Sequence, residues 1–199
     1  MKRLKKSGPK NLLINFLVLA ALNSALCVLG WSADGFAGTF HRVKQVIDGD
    51  TVILDNGEHV RLIGLDAPES RQDEKLFREA KRNREDIDSI IKKGKKASQF
   101  VRELVQGKEV RLEYDIEKRD KYGRQLAYVY ELETYRNKVD VISPAGYEIM
   151  NGNEIFINAT ILKSGFASPL TIPPNVKYAK HFKELAQAAR DNKMGLWQN

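Results

Sequence analysis

Between Asp48 and Glu69 the chain collects residue types that could do chemistry together: Asp48-Gly-Asp50-Thr51, then Arg61, then Asp66-Ala-Pro-Glu69. Taken singly, the first is a polar turn feeding a strand, Arg61 a half-exposed strand residue and the last a turn built on a proline. Their joint occurrence in one hairpin unit points further. Asp50 and Asp66 supply hard oxygen ligands of the kind calcium or magnesium takes. Pro68 holds Ala67 extended and so fixes the direction of the Ala67 carbonyl, a third ligand. Zinc is disfavoured, because beyond the N-terminal region the chain offers only the scattered His41, His59 and His181 and no cysteine.

Calcium is therefore the expected ion. Two carboxylates and one carbonyl leave several positions to water and a phosphate, so binding is expected to be weak, with a Kd on the order of 10⁻⁴ to 10⁻³ M. Glu69 is then the base that orients or deprotonates a water. Arg61 and Arg124 flank a phosphodiester, since guanidinium forks match phosphate oxygens and stay charged at any working pH. One geometric demand follows. On a straight strand Arg61 and Asp66 would stand about 16 Å apart, so the strand must curl, and Gly64 is placed to permit it.

The elements that must position these residues are short strands and amphipathic helices. Strand patterns run from Thr39 through Val46, from Thr51 to Leu54 and from His59 to Leu65, with Asn56-Gly57 marking a hairpin. A charge-rich exposed helix is predicted over about 72–88, with a second over 95–105 that presents Ala97, Phe100, Val101 and Leu104 on one face and stops at Gly107. Strands return at 109–115 and 126–130, separated by the polar loop 119–124. The stretch 131–152 reads as an extra hairpin. Helices follow at 158–163, capped by Asn158 and closed by Gly165, and at 177–192, closed by Gly195-Leu-Trp197. Lys92, Lys93, Lys95 and Lys96 read as a solvated face. Five short strands with a helix after the third predict an α+β fold, a small Greek-key barrel of the oligonucleotide-binding type.

The 199 residues carry 33 Lys plus Arg against 26 Asp plus Glu, a net charge of +7, with 42% apolar and 30% charged residues. That balance excludes wholesale disorder and a multi-span membrane protein. Much of the excess charge sits in Lys2, Arg3, Lys5, Lys6 and Lys10, ahead of an apolar run over 12–31. Residues 1–37 thus read as a signal peptide or an N-terminal membrane anchor, and 38–199 as the folded domain. The expected location is outside the cytoplasm: secreted, periplasmic or on the cell surface. Cys27, the sole cysteine, lies inside the apolar run and is not preceded by the small residue a lipoprotein signal wants. The exported part can form no disulfide and must rely on its core.

Ile47-Asp-Gly-Asp-Thr-Val52, Val60-Arg-Leu-Ile-Gly-Leu-Asp-Ala-Pro-Glu69, Asp120-Lys-Tyr-Gly-Arg-Gln-Leu-Ala-Tyr128 and Gly195-Leu-Trp197 together resemble the staphylococcal-type nuclease (thermonuclease) family. The resemblance spans most of 39–197. It implies a calcium-dependent phosphodiesterase on DNA and RNA, a hydrolase that leaves 3′-phosphate ends, built on an oligonucleotide-binding barrel with three helices. By motif, Asp50 and Asp66 match the calcium carboxylates, and Ala67 stands where the family's reference member uses a threonine carbonyl. Glu69 matches the general base, Arg61 and Arg124 the phosphate-binding arginines, and Lys121 and Tyr122 loop residues that touch a terminal phosphate.

Ser168-Pro-Leu-Thr-Ile-Pro-Pro174 departs from the pattern, since the reference nuclease carries base-packing tyrosines there. The segments 70–96 and 131–153 are longer than in that nuclease. The expectation is a monomer acting on nucleic acid, with membrane association through 12–31 if the anchor is kept. The alternative is a barrel of the same kind that binds nucleic acid or protein at the envelope without cleaving.

Overall fold

A meander opens the fold. Strands β1 (Phe40–Val46), β2 (Thr51–Leu54) and β3 (His59–Leu62) pair in antiparallel succession in the computed structural model, which describes residues 40–71, 74–84, 86–132, 149–150 and 154–198. The apolar N-terminal run and the middle of the 131–152 hairpin lie outside the described residues. Asn56-Gly57 does make the β2–β3 turn, with Gly57 at φ +83°, where a glycine meets no steric penalty. Strand β5 (Glu109–Glu113) pairs with β1, and β6 (Gln125–Leu132) pairs with β5.

Strand β6 then returns alongside β3 in parallel, Val60 opposite Gln125, Arg61 opposite Leu126 and Leu62 opposite Ala127. That pairing closes the cycle β3-β2-β1-β5-β6 into a five-stranded barrel, so the fold is the predicted α+β barrel of the oligonucleotide-binding type. Alternation along the strands sends Val43, Val52, Leu54, Val60, Leu62, Val110, Leu112, Ala127 and Val129 into its interior.

The predicted third strand does not run unbroken to Leu65. It stops at Leu62, turns through Ile63 and Gly64 (φ +86°), and resumes as the two-residue β4 (Leu65–Asp66). β4 pairs with β9 (Ser168–Pro169), the segment that departs from the family pattern.

Four α-helices stand among the described residues, one more than the resemblance implies. The addition is α1 (Glu74–Asn83), after which Arg84 takes a left-handed φ of +54°. Helix α2 (Ile87–Val105) starts eight residues before the predicted Lys95, because Asp86 caps it by accepting from the Ser89 amide. Its buried face, including Ala97, Phe100, Val101 and Leu104, covers the barrel as expected.

β7 (Ile149–Met150) and β8 (Glu154–Phe156) add a small hairpin to the free edge of β6. Helix α3 (Ile157–Lys163) is almost wholly buried, and α4 (Ala179–Asp191) packs on it with Phe182, Ala186 and Ala189. A 3₁₀ turn, Gly195–Trp197, closes the fold, with the Leu196 amide on the Gly165 carbonyl at 3.0 Å. No described helix is long and apolar enough to cross a membrane.

Asn158 is not the cap that its sequence position implied. It is fully buried one residue inside α3; its Oδ1 accepts from the Val129 amide at 2.9 Å and its Nδ2 donates to the Ile63 carbonyl at 2.9 Å. A carboxamide satisfies both groups, one just past the end of β3 and one within β6, which an apolar side chain could not do.

Candidate active site

Asp50 ends the polar turn before β2, its amide donating to Asp48 Oδ1 at 3.1 Å. Only 5% of Asp50 is exposed, so its charge needs compensation within the protein. Oδ1 accepts from the Thr51 hydroxyl at 3.0 Å and Oδ2 from the Ala67 amide at 3.1 Å, while the Arg61 guanidinium sits in close contact with Oδ2. The same guanidinium reaches Asp66, with Nη2 3.6 Å from Oδ1. Asp50, Arg61, Asp66 and Ala67, named from separate motifs, therefore meet at one place.

The turn at Gly64 produces this meeting by reversing the chain after β3, as the curl argument required. A Cβ at Gly64 would lie 2.3 Å from a ring carbon of Phe182, so glycine is needed for space as well as for its φ. The two motif loops also touch at Gly49, where a Cβ would fall 2.5 Å from that of Ala67. Asp48 shares this crowded turn. Burial, then the negative charge of Asp50 and a hydrogen bond to it, push the Asp48 carboxyl up to about 7.

Glu69 follows Pro68 out of the site and is partly exposed. Its backbone lies directly on α2: a Cβ at Gly94 would stand 2.2 Å from the Glu69 carbonyl oxygen and 2.7 Å from that of Pro68. The sequence reading gave Gly94 no role and began the helix after it, at Lys95. The signal was a glycine inside a run of good helix formers, where it costs about 1 kcal/mol unless close packing requires it.

Arg124 precedes β6. Since Arg61 faces Leu126 across the parallel pair, period-two alternation places Arg124 on the same outward face of the barrel wall as Arg61. Its Nε and Nη2 each donate to Asp120 Oδ2 at 2.8 Å, and its amide and that of Tyr122 donate to Asp120 Oδ1. Burial pushes Asp120 up, yet the Arg124 guanidinium and the two amides outweigh it and hold its carboxyl below the usual range. Asp120, a loop residue with no role in the sequence reading, is what orients Arg124. Lys121 and Tyr122 stand on the exposed tip of this loop, Tyr122 73% exposed with the ammonium of Lys121 5.0 Å from its ring centre.

Among the described residues no group of three or more His, Cys, Asp and Glu stands close enough to hold a metal by side chains alone. Two carboxylates gathered on one guanidinium remain a hard-oxygen donor set, which fits calcium or magnesium if backbone, water and substrate complete the shell.

Fold and site together define an oligonucleotide-binding barrel with a carboxylate and arginine centre beside the end of β3. Residues 59–199 match the family model described as Staphylococcal nuclease homologue. The chain is 34% identical over 170 residues to the Thermonuclease of Staphylococcus intermedius, covering 84% of this chain and 81% of that protein. It is 32% identical over 162 residues to the Thermonuclease of Staphylococcus hyicus, covering 80% and 76%. With Endonuclease YncB of Bacillus subtilis (strain 168) it shares 30% identity over 160 residues, 78% of this chain and 60% of that one. The chain belongs to the staphylococcal nuclease family.

Proposed function

We propose that this chain, a nuclease by family and so a hydrolase of nucleic-acid phosphodiester bonds, is an exported calcium-dependent enzyme that acts on DNA, RNA or both and leaves 3′-phosphate ends. The observation that carries the reading is the convergence of Asp50 and Asp66 on Arg61, with the Ala67 amide on Asp50. Asp50, Asp66 and the Ala67 carbonyl would hold the calcium, which when bound would supply Lewis-acid stabilisation of phosphate charge.

The remaining chemistry belongs to side chains. Glu69 takes a proton from a water whose oxygen bonds to phosphorus as the bond from phosphorus to the 5′ oxygen breaks. The leaving 5′ oxygen gains a proton and the phosphate stays on the 3′ side. Arg61 and Arg124, on one face of the β3–β6 wall, bind the phosphate oxygens as negative charge accumulates there. Lys121 and Tyr122 contact a terminal phosphate. Export rests on residues 1–37, where a basic start precedes an apolar run.

The test is hydrolysis of denatured DNA and of RNA by the full chain in calcium, then in excess EGTA, beside Glu69→Gln. Cleavage is expected to require both calcium and Glu69, and the products to block polymerase extension until a phosphatase removes the 3′ phosphate. Undiminished cleavage in EGTA, or by a folded Glu69→Gln protein, overturns the mechanism.

A further inference from the structure

A groove of about 380 Å³ opens beside the site, and its lining joins both motif loops: Ile47 stands just before Asp48-Gly-Asp50, and Ser70 just after Glu69. Its far wall is α2, which contributes Lys95, Gln99 and Arg102, and Arg71 completes it. Lys95, Gln99 and Arg102 recur at i, i+4 and i+7, the spacing of one helix face, so the two cations are set about 10 Å apart along one wall. Arg71, Lys95 and Arg102 make no ion pair among the described residues. Arg61, Arg111, Arg119 and Arg124 are each held by a carboxylate. The nearby acid Glu103 is engaged by Gln99 Nε2 at 3.0 Å.

We infer that this groove binds the phosphate backbone of a single-stranded polynucleotide beyond the scissile bond, with Arg71, Lys95 and Arg102 as its contacts. Three uncompensated cations in a concave, solvent-open channel attract a polyanion and release its counterions. Continuity with Ile47 and Ser70 leads the strand past the Glu69 loop. Lys95 is exposed, as the solvated-face reading of the lysine run expects, and on this inference it also joins two arginines that lie outside the run. The inference rests on the nuclease reading and adds to it a preference for long substrates over short ones.

The test measures binding, so that it is independent of turnover. In the full chain carrying Glu69→Gln, with calcium, fluorescence anisotropy is read with a labelled oligothymidylate of about 12 nucleotides and with a labelled thymidine dinucleotide. Adding Arg71→Gln, Lys95→Gln and Arg102→Gln together is expected to weaken the oligonucleotide at least about tenfold at low salt. It should also flatten the slope of log K against log salt by about 2, at about 0.7 per phosphate contact on single strands. Dinucleotide affinity should be retained, and Lys95→Arg should keep the parent slope. If the triple variant melts early, Arg102→Gln alone on its exposed helix face should lower the slope by about 0.7. An unchanged slope, or equal losses for both ligands, overturns the inference. Failure of the nuclease reading shows separately, as absence of cleavage by the unsubstituted chain in calcium.

Discussion

In the proposed mechanism Glu69 moves a proton and Arg61 holds charge, so their substitutions should fail differently. Glu69→Gln should lower kcat by roughly 10² to 10⁴ and leave calcium binding intact, checked by single-turnover kinetics beside a metal titration. Arg61→Ala should instead destabilise the fold, because Asp50 is 5% exposed and loses the cation that compensates it. The cost is expected to be about 3–5 kcal/mol in EGTA and smaller in saturating calcium, read from urea unfolding in both. Asp120 makes a pH-dependent case. Its carboxyl is held below the ordinary 3.8 in the folded state, so its stabilisation is complete above about pH 4 and is lost as pH falls through the folded value. Asp120→Asn should therefore cost about 1–2 kcal/mol at pH 7 and progressively less below pH 4, with lowered kcat because Arg124 loses its orienting partner. At this scale Asp50, Arg61 and Asp66 were legible because a buried site needs charged residue types at turns and strand ends. Asp48 and Asp120 were not, since an aspartate in a polar turn looks the same whether it solvates the turn or holds an arginine.

Helix α2 acts as a wall, and its glycine is the point of contact. By helix propensity alone Gly94→Ala would stabilise by about 1 kcal/mol, yet the added Cβ would lie 2.2 Å from the Glu69 carbonyl oxygen, a backbone atom with no rotamer to escape into. The expected outcome is a helix retained by circular dichroism with kcat reduced on the order of 10²-fold, as a misplacement of about 1 Å can cause. Periodicity located α2 and its buried face, because four apolar residues at helical spacing admit little else. It misplaced the start, since local propensity penalises Gly94 and carries no information about a loop that arrives from elsewhere in the chain. The break of the third strand at Gly64 had the same legibility: the need to bend was readable from the distance between Arg61 and Asp66, but the partner strand β9 was not.

The barrel as a whole was readable in its strand order, because three strands, a helical insertion and two more strands leave few ways to close a sheet. The parallel β3–β6 seam that closes it depends on Asn158, a polar group that sequence placed at a helix cap. Asn158→Leu keeps the volume and strands the Val129 amide and the Ile63 carbonyl without partners, at an expected cost of about 2–5 kcal/mol by urea unfolding. The pairing of β4 with β9 has a consequence in time. Asp66 sits on a two-residue strand whose partner, among the described residues, is Ser168–Pro169 about a hundred positions later, and the turn beside it leans on Phe182. During synthesis Asp50, Asp66 and Glu69, the proposed metal and base residues, emerge about a hundred positions or more ahead of β9. A growing chain thus carries these proposed groups before β9 and Phe182 exist to brace Asp66 and the Gly64 turn, and the site gains that support only when translation is nearly over.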